Sequence, residues 1–378
     1  MNADRLHALL RILKDELSRT SIVSELSSLQ NALQQQIQQS HPNNQTQLGE
    51  SLKAVKSAID RSAVDDLSPA WAEMIREIGF DDILGEALRA RIDDSFKQAD
   101  ITPTLVKEDI DELVARLDQL DTAVNEGISA FEILSIGAEQ LEPGDCELGF
   151  MVPRVAVESR LLDFADECRE FDFIFGTFSE IATGSREHFQ IRTVSSSDLS
   201  VFLESTPAVV ALVAAATERI IAIYKQLLEI RKLRSEMLVQ AVPKEALESI
   251  DEHANKRMGE AIDEIAVEIM ASNSSSNGEG RSNELSNALK ISLSKLANRI
   301  DRGFHIEVRI GELPEPEAGG EEDDDAPDDS LHENAATIKA AAEALQFIGL
   351  PPIHVPAGMR ESGWLDATPL AVRSGGAC

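Results

Sequence analysis

Cysteine is nearly absent. Cys146, Cys168 and Cys378 are the only three in 378 residues, too few and too scattered for a disulfide framework or a CxxC zinc site. Aromatic residues are also scarce, with thirteen Phe, two Trp and one Tyr, so Leu, Ile, Val and Ala must build the core. That composition favours helices packed through aliphatic side chains. Basic charge is in deficit: 35 Lys and Arg stand against 67 Asp and Glu, a net charge of −32. Such a surface repels polyphosphates, so direct nucleic-acid binding is not expected. A basic protein partner fits better, and an acidic inhibitor or nucleic-acid mimic is the weaker form of that reading.

Long apolar runs are missing too. The most apolar helix candidate has thirteen uncharged residues, Ser205 to Thr217, before Glu218 and Arg219 interrupt it. A membrane span needs about 20, so no membrane association is expected. The opening MNADRLHALLRILKDELSR is charged throughout and has no signal-peptide core, which points to the cytoplasm. Motifs of catalysis are absent as well: no GxxxxGK[ST], GxGxxG, HExxH or GxSxG occurs, and no two of the seven histidines share an i, i+4 spacing. No cofactor or metal is expected. The line Glu252, Lys256, Glu260, Glu264 and Glu268 lacks the Glu-x-x-His signature of a di-iron bundle, because Ile250 stands at the required position. It reads as a solvated helix face with one Glu252–Lys256 ion pair.

What is present is periodicity. Over residues 1–140 apolar residues recur at three and four. Leu6, Leu9, Leu13 and Leu17 continue as Ile22, Leu26, Leu29, Leu33 and Ile37, read as one stripe on a helix. A turn at His41-Pro42 precedes a second stripe, Leu48, Leu52, Val55 and Ile59, making a helical hairpin. Ser68-Pro69 opens another helix that Gly79 ends, and a further helix covers Asp82 to Phe96. Thr102-Pro103 opens the longest stripe, from Ile110 through Leu113, Leu117, Leu120, Val124 and Ile128 to Phe131. This is a helical bundle or, if the stripes face another protomer, a coiled coil.

From about Asp145 the period becomes two. CELGFMV, HFQIRTV, LSVFL and GFHIEVRI each carry one apolar face, which predicts a four-stranded antiparallel sheet covered on one side. Helical segments fall after the first and third strands, giving β-α-β-β-α-β, a ferredoxin-like plan with added helices at about 244–270 and 284–300. The fold class expected is thus α+β, mainly helical, with residues 141–311 as the second domain. RNA-recognition motifs share the plan, but RGFHIEVRI lacks the aromatics on which such domains stack bases.

Arg192, His305, Glu307 and Arg309 fall on the polar face of this sheet and form the candidate interaction site; the plainer reading is a solvated face. Residues 312–331 hold an acidic, Pro- and Gly-containing stretch expected to be a disordered linker. Residues 332–378 supply a short amphipathic helix and a Pro/Gly-rich tail, in which Trp364 is a candidate partner anchor. The function expected is a non-enzymatic, soluble interaction or scaffold protein, homo-oligomeric through long helices. The alternative is an enzyme or nucleotide-sensing regulator using the polar sheet face.

Overall fold

Helix α1 (Ala3–Thr20) stops at Ser21, whose φ of 55° is left-handed, and α2 (Ile22–Gln38) begins immediately after it. The first stripe therefore lies on two helices, correcting the single helix expected. The Ser21 N–H still bonds to Leu17 O at 3.0 Å, closing α1. Its signature is a spacing of five between Leu17 and Ile22, where the helical repeat allows three or four. Helix α2 keeps its apolar pattern past the break and buries Leu26 and Leu29 completely.

The computed structural model describes residues 2–97, 103–195, 199–239, 244–273, 279–313 and 329–345, without the side chains of 103, 228–239, 244–255, 279, 280, 329 and 343. Thr102, residues 196–198 where a hairpin turn was expected, residues 314–328 of the acidic stretch and residues 346–378 with Trp364 lie outside them. The chain divides into two compact units, Met1–Gln140 and Leu141–Cys378.

In the first unit, α2 and α3 (Pro42–Asp60) form the expected hairpin. His41 is the N-cap of α3, its Nδ1 accepting from the Asn43 N–H at 3.2 Å, and Pro42 is the first helical residue. Asn44 Nδ2 donates to Gln39 O at 2.8 Å, tying the two helix ends together. Ser68 and Pro69 open α4 (Pro69–Glu77), and Gly79 turns the chain at φ 79°. A 3₁₀ turn, Asp81–Ile83, then precedes α5 (Gly85–Lys97), so the helix expected from Asp82 starts three residues late. Helix α6 (Pro103–Ile133) packs on α1 and α2. Leu9, Leu13, Leu26, Leu29, Val55, Ile110, Leu117 and Val124 are buried in one core. Each such side chain contributes about 1.5–3 kcal/mol. The α6 stripe from Ile110 to Ile128 is buried inside the unit.

Asp82 joins the 3₁₀ turn to two helices. Arg91 Nη1 (2.7 Å) and Arg116 Nη2 (2.7 Å) donate to its carboxylate, and Arg116 also reaches Gly79 O at 2.9 Å. The Arg116 hydrogen bond, above all, holds the Asp82 carboxyl below its ordinary range. A depressed carboxyl pKa stabilises the fold above the ordinary carboxylate range, and that contribution disappears as the pH falls through the folded-state value. Arg116→Met is expected to lower stability at neutral pH by under about 1 kcal/mol, because the pair is half-exposed, and by nothing in strong acid. Urea titrations at the two pH values check this.

The second unit runs β1 (Cys146–Met151), α7 (Leu161–Thr183), β2 (Gln190–Ser195), β3 (Ser200–Ser205), α8 (Pro207–Val239), α9 (Lys244–Ser272), α10 (Glu279–Asp301), β4 (His305–Ile310) and α11 (Asp329–Leu345). Its four strands form one antiparallel sheet in the order β2-β3-β1-β4. Leu148, Phe150, Val201, Leu203, Ile306 and Val308 line one face, over which Phe171, Phe175 and the buried side of α8 pack. Phe150 and Phe171 stack with centroids 4.1 Å apart.

Pro207–Leu227 of α8 is long and apolar enough to cross a membrane by length and composition alone. Here its Val209, Val210, Val213, Ala214, Ile220 and Ile221 are core residues, and Arg219 forms a two-pronged pair with Glu268 of α9. Helix α11 is also part of this core: it packs on α8 and β4 and buries Ile338, Ala341 and Leu345. The helix expected after the acidic stretch is therefore present from Asp329 and packs within the second unit. Leu313 and Leu331 meet at one place, 3.6 and 3.8 Å from where a side chain on Gly144 would begin.

Candidate functional site

The candidate site grows from β1, the strand flanked by both β3 and β4. Its register sets Glu147 opposite Glu204 and Arg309, Gly149 opposite Phe202 and Glu307, and Met151 opposite Ser200 and His305. These residues alternate with Cys146, Leu148 and Phe150, so they occupy the second face of the sheet. That face was expected to be solvated. Instead Glu147 is 1% exposed, Phe202 0% and Glu307 5%, so the one-sided covering is overturned. Phe202 is no open aromatic platform. Its ring lies across Gly149, where a Cβ would fall 2.5 Å from Phe202 Cδ1. Glycine at 149 is what lets the ring lie flat on the strand.

A buried carboxylate needs a charged partner, and Glu147 has two. Arg309 Nε and Nη2 both donate to its Oε1, at 3.0 and 2.7 Å. Arg192 Nε approaches Oε2 at 3.6 Å. Arg192 reaches it from two strands away because β2 is irregular: Ile191 pairs with Leu203 and Thr193 with Phe202, leaving Arg192 as the extra residue. The bulge also moves Thr193 onto the second face, against the simple alternation expected, and leaves Ile191 66% exposed.

Two of the predicted site residues, Arg192 and Arg309, therefore converge on one carboxylate. His305 and Glu307 share their face on β4, half-buried and buried respectively. Trp364 lies outside the described residues. Glu147, the residue that organises the group, was missed. Its signal was its place on the polar side of the first strand, legible only once β1 and β4 are set side by side.

Chemically, the Glu147 carboxylate is engaged by two guanidinium groups, a pairing that ties β1 to β4 and β2. Burial pushes the Cys146 thiol up to about 12 and raises that of Cys168, so neither is a ready nucleophile near neutral pH. Among the described residues no group of three or more His, Cys, Asp or Glu could hold a metal ion. A second ion cluster fastens α7 to α10: Arg299 Nε and Arg302 Nη1 donate to Glu167 at 2.8 and 2.9 Å, with the Arg299 guanidinium 5.6 Å from the Phe171 ring centre. On α9, Lys256 faces Glu260 at 3.8 Å, and the Glu252 side chain is outside the described residues. No protein family, curated protein or solved structure matches this chain.

Proposed function

We propose that this chain is a non-enzymatic interaction or scaffold protein that associates with a second copy of itself, its sheet built on the ferredoxin-like plan. The strand order β2-β3-β1-β4, with helices after β1 and β3, supports that plan. The observation that carries the function is an apolar surface on a stiff turn. Val155, Leu161 and Leu162 are 78, 83 and 67% exposed within eight residues. Between them Glu158 and Ser159 take left-handed φ values of 45° and 55°, a conformation costly for such residues. Arg302 braces the turn through Ala156 O at 3.3 Å.

Exposed Glu158 and Arg160, of opposite sign and 3.3 Å apart, flank the aliphatics. A twofold contact needs such self-complementary charge. The length of α8 favours assembly too: its 33 residues span about 50 Å, against about 20 Å for a six-residue strand.

Light scattering of the full chain is the test. Association at micromolar concentration is expected, weakened when Leu161→Asp and Leu162→Asp are combined. A strict monomer rejects self-association, and an unchanged oligomer in the double variant moves the contact elsewhere.

A further inference from the structure

The first unit closes on itself through a buried histidine. His7 on α1 is 2% exposed, and its ring stacks on Phe131 of α6 with centroids 5.2 Å apart. Nδ1 lies 2.8 Å from Ile136 O, just past the end of α6. A carbonyl can only accept, so Nδ1 carries the proton. The other nitrogen, Nε2, faces Arg11 Nε at 3.3 Å. Guanidinium can only donate, so Nε2 must accept. The two contacts together require the neutral Nδ1–H tautomer. Three residues on, Arg5 and Glu139 form an ion pair at 3.0 Å with both side chains nearly buried, and the Glu139 N–H bonds to Asp4 O at 3.0 Å. Residues 134–140, which lead into the second unit, are thereby strapped to α1 at two points.

We propose that His7 is a protonation-sensitive clasp on this strap. A proton added at Nε2 removes its acceptor and sets an imidazolium against the Arg11 guanidinium in a buried site. The surrounding charges are Arg11 with its partner Glu132 on α6 (3.7 Å) and the Arg5–Glu139 pair. Both carboxylates already face an arginine, and the group in direct contact with Nε2 is a cation. The ring then leaves Ile136, and the strap keeps the Arg5–Glu139 pair and the Glu139 N–H bond to Asp4 O but loses its anchor at Ile136.

Amide hydrogen exchange on the full chain tests the clasp, corrected for intrinsic rates, at about pH 8 and about pH 5, either side of the ordinary imidazole range. The expected result is a loss of protection at 134–140 on the order of tenfold in acid, with the α6 core amides unchanged. His7→Gln keeps a donor and an acceptor without titrating, and its strap is expected to exchange alike at both pH values. Arg11→Gln removes the opposing cation and is expected to shrink the pH effect while His7 remains. Nitrogen NMR of the ring is expected to report the Nδ1–H tautomer at the higher pH. The proposal is overturned if native protection at 134–140 is unchanged by pH, if His7→Gln loses protection in acid as the native chain does, or if the ring is protonated at Nε2 in the neutral form.

Discussion

Glu147→Ala is expected to destabilise the second unit by about 3 kcal/mol, the range for removing one member of a buried ion pair. The cost comes chiefly from the two guanidinium groups left without their carboxylate, with the space vacated by four heavy atoms adding to it. Arg309 loses the oxygen that receives both Nε and Nη2, and Arg192 loses the carboxylate oxygen 3.6 Å from its Nε. Both guanidiniums are about one-fifth exposed, which keeps the figure in the lower part of the range. Replacing the pair together, Glu147→Met with Arg309→Met, is expected to recover most of the loss, since an apolar pair of similar volume needs no countercharge. Denaturant midpoints for the native chain, the single and the double variant decide this. A single-variant cost below about 1 kcal/mol would mean that the Glu147 charge is dispensable.

Gly149→Ala is the second large effect, about 2–3 kcal/mol from overpacking. The new methyl would sit 2.5 and 2.6 Å from Phe202 Cδ1 and Cε1, atoms of a rigid ring that is itself fully buried. Phe202→Leu alone also costs stability, through the cavity it leaves. The two changes together are expected to cost less than their sum by at least about 1 kcal/mol, because the smaller side chain makes room for the methyl. Strict additivity in the thermal or denaturant midpoints would show that the ring and residue 149 do not compete for space.

Period-two alternation was enough to find all four strands to within a residue or two, because β1, β3 and β4 each bury one aliphatic face against helices, and β2 keeps the alternation although its Ile191 and Val194 are exposed. It could not reveal that the other face is buried as well. Glu147, Phe202 and Glu307 look like surface residues in a linear pattern, and their burial depends on strand neighbours far apart in sequence. The bulge at Arg192 was hidden for the same reason: an extra residue is defined by its partner strand. In the helical unit the stripes were legible and the breaks less so. Ser21 has no glycine or proline beside it, and only the slip from four to five between Leu17 and Ile22 marks the turn. His7 fell on a plain amphipathic helix, and its partner is a main-chain oxygen of Ile136, which leaves no trace in side-chain pattern.

The meeting of Leu313 and Leu331 beside Gly144 has a consequence for α11. The chain leaves the core after β4 and re-enters it at nearly the same point, so α11 is an intramolecular ligand with a closed tether. Its effective concentration at its groove is of the millimolar order that short tethers give. A single proteolytic cut between Leu313 and Asp329 converts that docking into a bimolecular equilibrium, without altering one contact of α11 with α8 or β4. Tether length, by contrast, matters little: each doubling costs only about 0.6 kcal/mol in closure entropy.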